Sequence, residues 1–240
     1  TELMAGVGVF AACFVAAGAE CRCIIEPDPE ARKCAVVNAR SPAEIRENLL
    51  DCDPADLPWT HALVAGPECQ PWSTAGKQRG WEDRRAHTFL RVLHTAAVMQ
   101  PWWVWIENVA ALLSAREGKT WRTIQGIALA TGFKIQMVKE CASSSHVALP
   151  MKRERIFITM VREDVFDRWG WPAVPDQSPV APLYLSAVLK DQSRRQDLWL
   201  NEETHPITWD EERLKQDWDG KGMTEVGFFG DGGWGQRIYA

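Results

Sequence analysis

Leu3-Met4-Ala5-Gly6-Val7-Gly8-Val9-Phe10-Ala11-Ala12-Cys13-Phe14-Val15-Ala16-Ala17-Gly18 decides the fold. Leu3 to Ala5 reads as the end of a short buried strand, Gly6-Val7-Gly8 as a turn, and Val9 to Ala17 as a small apolar helix stopped by Gly18. The same alternation continues outward. Cys23-Ile24-Ile25 is predicted as a second strand ending in Glu26, Pro29 to Asn38 as the helix after it, and Ala62 to Gly66 as a further apolar run. A helix over Ala86 to Met99 leads through Pro101 into Trp103-Val104-Trp105-Ile106, a run too short for a helix and suited to a strand covered on both faces. Trp121 to Thr131 makes another helix, Phe133 to Val138 another strand and Ile156 to Val161 a last one. Strands alternating with helices imply right-handed βαβ units. The expected fold is therefore α/β, a doubly wound, mostly parallel sheet reaching to about residue 161.

The whole chain has 240 residues, 46% hydrophobic and 25% charged, the balance of an ordinary globular protein. No stretch approaches the roughly 18 uncharged apolar residues of a membrane span, and no basic segment with an apolar core opens the chain. Membrane insertion and secretion are not expected. Seven cysteines, an odd number with Cys21 and Cys23 one residue too close for zinc-type pairing, suggest reduced thiols inside a cell and no metal. A net charge of −5 speaks against gripping nucleic acid with the whole surface but allows a local basic patch. Thirteen tryptophans serve equally as core, docking surface or base-stacking platform.

Beyond Arg162, Pro172, Pro175, Pro179 and Pro182 break the periodicity, and Gly227 to Gly235 is glycine-rich. Two regions are expected, a domain over 1–161 and a looser one over 162–240. Because Thr1 is not methionine and no clear element ends the chain at Ala240, an excerpt of a longer protein is expected.

In an open α/β sheet, ligands bind beyond the carboxyl ends of the strands. Gly6 and Gly8 follow the first strand, where they let a ligand approach the backbone and expose a helix N-terminus to an anionic group. Glu26 ends the second, placed to accept from ribose hydroxyls. The third runs into Pro67-Glu68-Cys69-Gln70-Pro71-Trp72-Ser73, a cysteine bracketed by prolines, and the next ends in Glu107-Asn108. If the last strand returns antiparallel, Arg153 and Arg155 reach the same edge. Singly, each has a plainer reading: steric glycines, a buried thiol, a capping glutamate, a solvated basic run. Together they converge on one edge.

In order, these residues resemble the motifs of the C5-cytosine methyltransferases. Glu2-Leu3-Met4-Ala5-Gly6-Val7-Gly8-Val9-Phe10 is similar to the cofactor motif, Gly66-Pro67-Glu68-Cys69-Gln70-Pro71-Trp72-Ser73 to the nucleophile loop, and Asp83-Arg84-Arg85 to the short motif after it. Glu107-Asn108-Val109 resembles the base-recognition motif, and Val147-Ala148-Leu149-Pro150 with Arg153 and Arg155 the motifs before the target-recognition region.

The resemblance implies a Rossmann-like methyltransferase fold followed by a small, incomplete target-recognition region. It implies methyl transfer from S-adenosyl-L-methionine to C5 of a flipped-out cytosine in double-stranded DNA, by a monomer. Cys69, Glu107, Arg153 and Arg155 would be catalytic. Met4, Ala5, Gly6, Val7, Gly8, Glu26, Asn48 and Pro67 would hold the cofactor, and Gln70, Ser73 and Asn108 the substrate. The chain departs from the pattern at Glu68, where proline is usual, at Met151 in place of glutamine, and at Asn48 in place of aspartate. The family's closing motifs are not found, and Gly235-Gln236-Arg237-Ile238-Tyr239 looks like a piece from within the target-recognition region. An RNA cytosine-5 methyltransferase and a non-catalytic cofactor- or nucleic-acid-binding relative are the alternatives.

Overall fold

The computed structural model describes residues 1–72, 80–141 and 153–172, together with two short strands at 225–227 and 237–239. It divides into two units, Thr1–Lys139 with Arg155–Ala173, and Glu140–Glu154 with Val174–Ala240. In the second, the described residues include one antiparallel pair, Glu225–Gly227 against Arg237–Tyr239.

The first unit is built on a seven-stranded sheet. Its strands are β1 (Glu2–Leu3), β2 (Cys23–Ile25), β3 (Glu44–Arg46), β4 (Ala62–Ala65), β5 (Trp103–Asn108), β6 (Phe133–Cys141) and β7 (Glu154–Arg162). They lie in the order β3-β2-β1-β4-β5-β7-β6. The pairs from β3 to β5 are parallel, and β7 runs antiparallel to β5 with Glu107 opposite Phe157. The expected doubly wound, mostly parallel sheet is present. Its helices are α1 (Val9–Ala16), α2 (Pro29–Asn38), α3 (Ala86–Met99), the short α4 (Ala111–Ser114), α5 (Lys119–Ala130) and α6 (Glu163–Trp169).

Local chemistry sets the helix ends. Asp28 caps α2 by accepting from the backbone N–H groups of Glu30 and Ala31 at 2.9 and 2.8 Å, with Pro29 at the first helical position. Helix α3 stops at Gln100, which takes a left-handed conformation just before Pro101.

Alternation along the strands places helices on both faces. Leu3, Cys23, Ile25, Leu63, Val104 and Ile106 face a core that takes in Phe89, Val92, Leu93 and Ala96 from α3 and Ile124 and Ala128 from α5. Ile24 points the other way, to a smaller cluster with Ala11 of α1 and Ala35 of α2. Strand β5 differs from expectation. Only Val104, Ile106 and Asn108 are buried, whereas Trp103, Trp105 and Glu107 form a half-buried face, with Trp105 against Phe14 of α1 at 5.1 Å.

Candidate active site

The turn between β1 and α1 supplies one side of the site. Met4, Gly6 and Gly8 all have positive φ, 54°, 55° and 79°. The conformation needs glycine most at Gly8, where an added Cβ would lie 2.7 Å from the Cα of Ala35 and prevent α1 from resting on α2. At Gly6 a Cβ would meet nothing within 4 Å, so that stretch of backbone is open. Glu26, buried at the end of β2, ties the turn down: its two carboxylate oxygens accept from the N–H of Gly6 at 2.6 Å and of Asp28 at 2.9 Å.

Glu2 has a role that sequence reasoning missed. Its carboxyl accepts from the N–H groups of Phe10 at 3.3 Å and Ala11 at 2.7 Å, in the first turn of α1. The expected open helix N-terminus is thus already occupied by a side chain of the protein. Burial pushes Glu2 up to about 7, with the two backbone hydrogen bonds pulling the other way and the nearby Glu26 adding to the rise.

After β4 the chain enters the cysteine loop. Cys69 is half-buried, and its carbonyl accepts from the N–H of Trp72 at 3.0 Å. Trp72 is buried and meets Trp81 edge-on at 4.8 Å and Phe89 at 6.4 Å, which anchors the loop to α3. On the other side of the cysteine, the fully buried Asn108 donates from Nδ2 to the carbonyl of Pro67 at 3.1 Å, while its Oδ1 accepts from the N–H of Val109. The amide of Asn108, expected at the substrate, forms a strut from β5 to the cysteine loop.

Gln70 is also engaged. Its Oε1 accepts from Nη1 of Arg85, whose Nε and Nη2 donate to both carboxylate oxygens of the buried Asp83 at 2.9 and 2.6 Å. Half-buried Glu68 lies within electrostatic reach of this group. Burial raises its pKa, the Arg85 guanidinium lowers it, and the Asp83 carboxylate raises it further.

Because β7 is antiparallel to β5, Arg155 near its start comes to the end of β5. Its Nε meets Oε1 of Glu107 at 2.7 Å. Gly6, Glu26, Pro67, Cys69, Glu107 and Arg155 therefore occupy one edge of the sheet, as the sequence led us to expect. Arg153 is exposed and falls in the second unit. Asn48, at the same edge after β3, caps a 3-10 turn: its Oδ1 accepts from the N–H of Leu50 at 3.1 Å and its Nδ2 donates to Asp51 at 2.7 Å. Ser73 and Met151 lie outside the described residues.

The family described as C-5 cytosine-specific DNA methylase matches residues 1–220. The chain belongs to this family. Among its relatives, the orphan methyltransferase M.Rho11sI of Bacillus phage rho11s is 32% identical over 71% of this chain and 34% of its own length. The type II methyltransferase M.HhaI of Haemophilus parahaemolyticus is 25% identical over 100% of this chain and 70% of its own. A DNMT2 structure from Spodoptera frugiperda superposes with a TM-score of 0.60 at 17% identity, covering 91% of this chain and 65% of that one, a likeness of fold alone. The chain spans between 34% and 41% of the length of three of the curated relatives it matches. Among its described residues, no helix is long and apolar enough to cross a membrane and no acidic, histidine or cysteine group could hold a metal ion.

Proposed function

We propose that this chain carries the catalytic centre of a DNA (cytosine-5)-methyltransferase that uses S-adenosyl-L-methionine. The observation that carries the reading is the meeting of Glu107 and Arg155 at the sheet edge where the Cys69 loop and the Gly6–Gly8 turn also end.

The residues present fit the cofactor. Each Glu26 oxygen holds one backbone N–H and keeps acceptor capacity for a ribose hydroxyl. The open backbone at Gly6, flanked by Met4, Ala5, Val7, Gly8 and Pro67, receives the methionine end. Asn48 Oδ1 has a second lone pair for the adenine amine. Glu2 fills the first turn of α1, so the turn suits a sulfonium ligand without phosphates. When bound, this ligand supplies an electrophilic methyl group.

Cytosine C5 is too weak a nucleophile to react unaided, so the ring must first be activated. The Cys69 thiolate adds to C6, and the ring electrons move toward C5 and N3. Glu107, neutral or sharing its proton, hydrogen-bonds N3 and the exocyclic amine, and Arg155 holds O2, so both meet the charge that develops. Arg153 and Ser73 support the base and its strand, while Gln70 and Asn108 hold the loop that carries Cys69. A bound donor would supply the methyl group to C5, its sulfur leaving as a neutral thioether, after which loss of the C5 proton to a base and elimination of Cys69 would restore the ring. Because C6 is hidden in the stacked duplex, the target base is flipped out.

The test uses the full chain, the methyl donor and a pool of duplexes containing 5-fluorocytosine in all short sequence contexts, since fluorine blocks the last elimination. A denaturation-resistant protein–DNA adduct, lost in Cys69→Ser, is expected. Donor binding without any adduct overturns the reading, and an adduct with RNA alone moves the substrate to RNA.

A further inference from the structure

Glu68 sets a problem that the rest of the loop must solve. A carboxylate next to a thiolate opposes its formation, and Glu68 directly precedes Cys69. The residue directly after the cysteine, Gln70, is held by Arg85. The same guanidinium lies near enough to Glu68 to work against the rise that burial gives its pKa, so one side chain bonds one neighbour of Cys69 and acts electrostatically on the other.

Arg85 is itself fixed. Both oxygens of Asp83 accept from its fork, and Asp83 Oδ1 also accepts from its backbone N–H at 3.0 Å. Such a bidentate pair holds the guanidinium plane and leaves one nitrogen, Nη1, for Gln70. Among the described residues, the charged groups acting on Glu68 are Arg85 and Asp83, of opposite sign, and the aromatic rings of Trp72 and Trp81 beside the loop carry no charge.

We propose that Arg85 is a positioning residue for Cys69: anchored on Asp83, its guanidinium grips Gln70 on one side of the cysteine and offsets the Glu68 carboxylate on the other, so that the thiolate forms beside an acidic neighbour. The inference rests on the reading of Cys69 as the nucleophile. It makes Glu68 and Arg85 a compensating pair. Either change alone disturbs the cysteine, and the effect of losing Arg85 depends on the presence of Glu68.

The test is the pH–rate profile of Cys69 alkylation by iodoacetamide in the full chain, read on the peptide that contains the cysteine, where the thiolate displaces iodide. Arg85→Gln is expected to slow alkylation about tenfold at pH 7 and move the profile to higher pH, the size of effect an opposite charge at close range has. In a Glu68→Gln background the same change should slow it less than threefold. Arg85→Lys keeps the charge and loses the fork, so its alkylation profile stays near that of the parent while adduct formation with fluorocytosine falls.

Equal slowing by Arg85→Gln in both backgrounds would leave Arg85 a merely structural group and overturn the proposal. Glu68→Gln alone gives a check that needs no change at Arg85: it should speed alkylation and move the profile to lower pH, and no acceleration means that the carboxylate does not oppose the thiolate and leaves Arg85 nothing to offset. A parent chain that shows the coupling but forms no nucleic-acid adduct sinks the functional reading and leaves the electrostatic one standing.

Discussion

Glu107 and Arg155 meet at 2.7 Å across antiparallel strands, although 48 positions separate them in the chain. Glu107 lies opposite Phe157, and Arg155, two residues before it, falls on the same face of β7. With about a quarter of each side chain open to solvent, the pair contributes about 1 kcal/mol or less to stability. On the proposed reading, its value lies in preorganisation. Glu107→Gln should leave the urea midpoint almost unchanged and slow adduct formation on the order of a hundredfold. A matching collapse of stability and rate would show a structural role instead.

The two glycines of the first turn should part company. Gly8→Ala adds a methyl group 2.7 Å from the Cα of Ala35 at φ 79°, and should cost about 3 kcal/mol in urea unfolding, from left-handed strain and overpacking together. Gly6→Ala meets open space at φ 55° and should cost about 1 kcal/mol, while weakening donor binding, measured by calorimetry, at least tenfold. Equal stability losses would contradict the packing argument.

Glu2 makes stability depend on pH. The folded state holds its proton to about 7, whereas the ordinary value is 4.5, so between those limits the folded chain binds more protons than the unfolded one. Stability from this group is therefore fully present below pH 4.5 and is lost as pH rises to about 7, by on the order of 3 kcal/mol. Glu2→Gln should flatten that part of the curve of unfolding free energy against pH. An unchanged slope would assign the dependence to other groups.

Trp72 offers a test of packing against polarity. It is buried, yet its indole Nε1 has no hydrogen-bond partner among the described residues. Trp72→Phe removes the orphaned donor along with part of the ring, and should change stability by less than about 1.5 kcal/mol. Trp72→Ala, which empties the contact with Trp81 and Phe89, should cost about 4 kcal/mol. Thermal unfolding of the two variants separates the terms.

Strands β2, β4 and β5 were legible because each is a short apolar run between turn residues, and the edge they share follows from the rule for parallel sheets. Strand β3, Glu-Ile-Arg, was not: it pairs through its backbone at the sheet edge and carries no apolar run. Cys69 and Glu107 stood out as reactive groups at strand ends. Glu2 and Arg85 appeared only as members of quoted motifs, since their work is done by contacts with Ala11 and Gln70 that form only once the chain has folded. The half-exposed face of β5 was hidden by tryptophan itself, which reads as apolar in sequence while its large ring remains partly open in the fold.

The carboxyl of Glu2 at the start of α1 also bears on discrimination among metabolites. Adenosine polyphosphates share the adenine and ribose of the methyl donor, so those parts of a site cannot tell the molecules apart. Selection must fall at the far end. There a polyphosphate finds the first-turn N–H groups of Phe10 and Ala11 already bonded, and a second carboxyl, Glu26, close by. A ligand carrying a positive sulfonium meets no such repulsion. On the proposed reading of this edge as the methyl-donor site, one buried acid fills the place where phosphate would sit and turns a common nucleotide-binding architecture against the most common nucleotides.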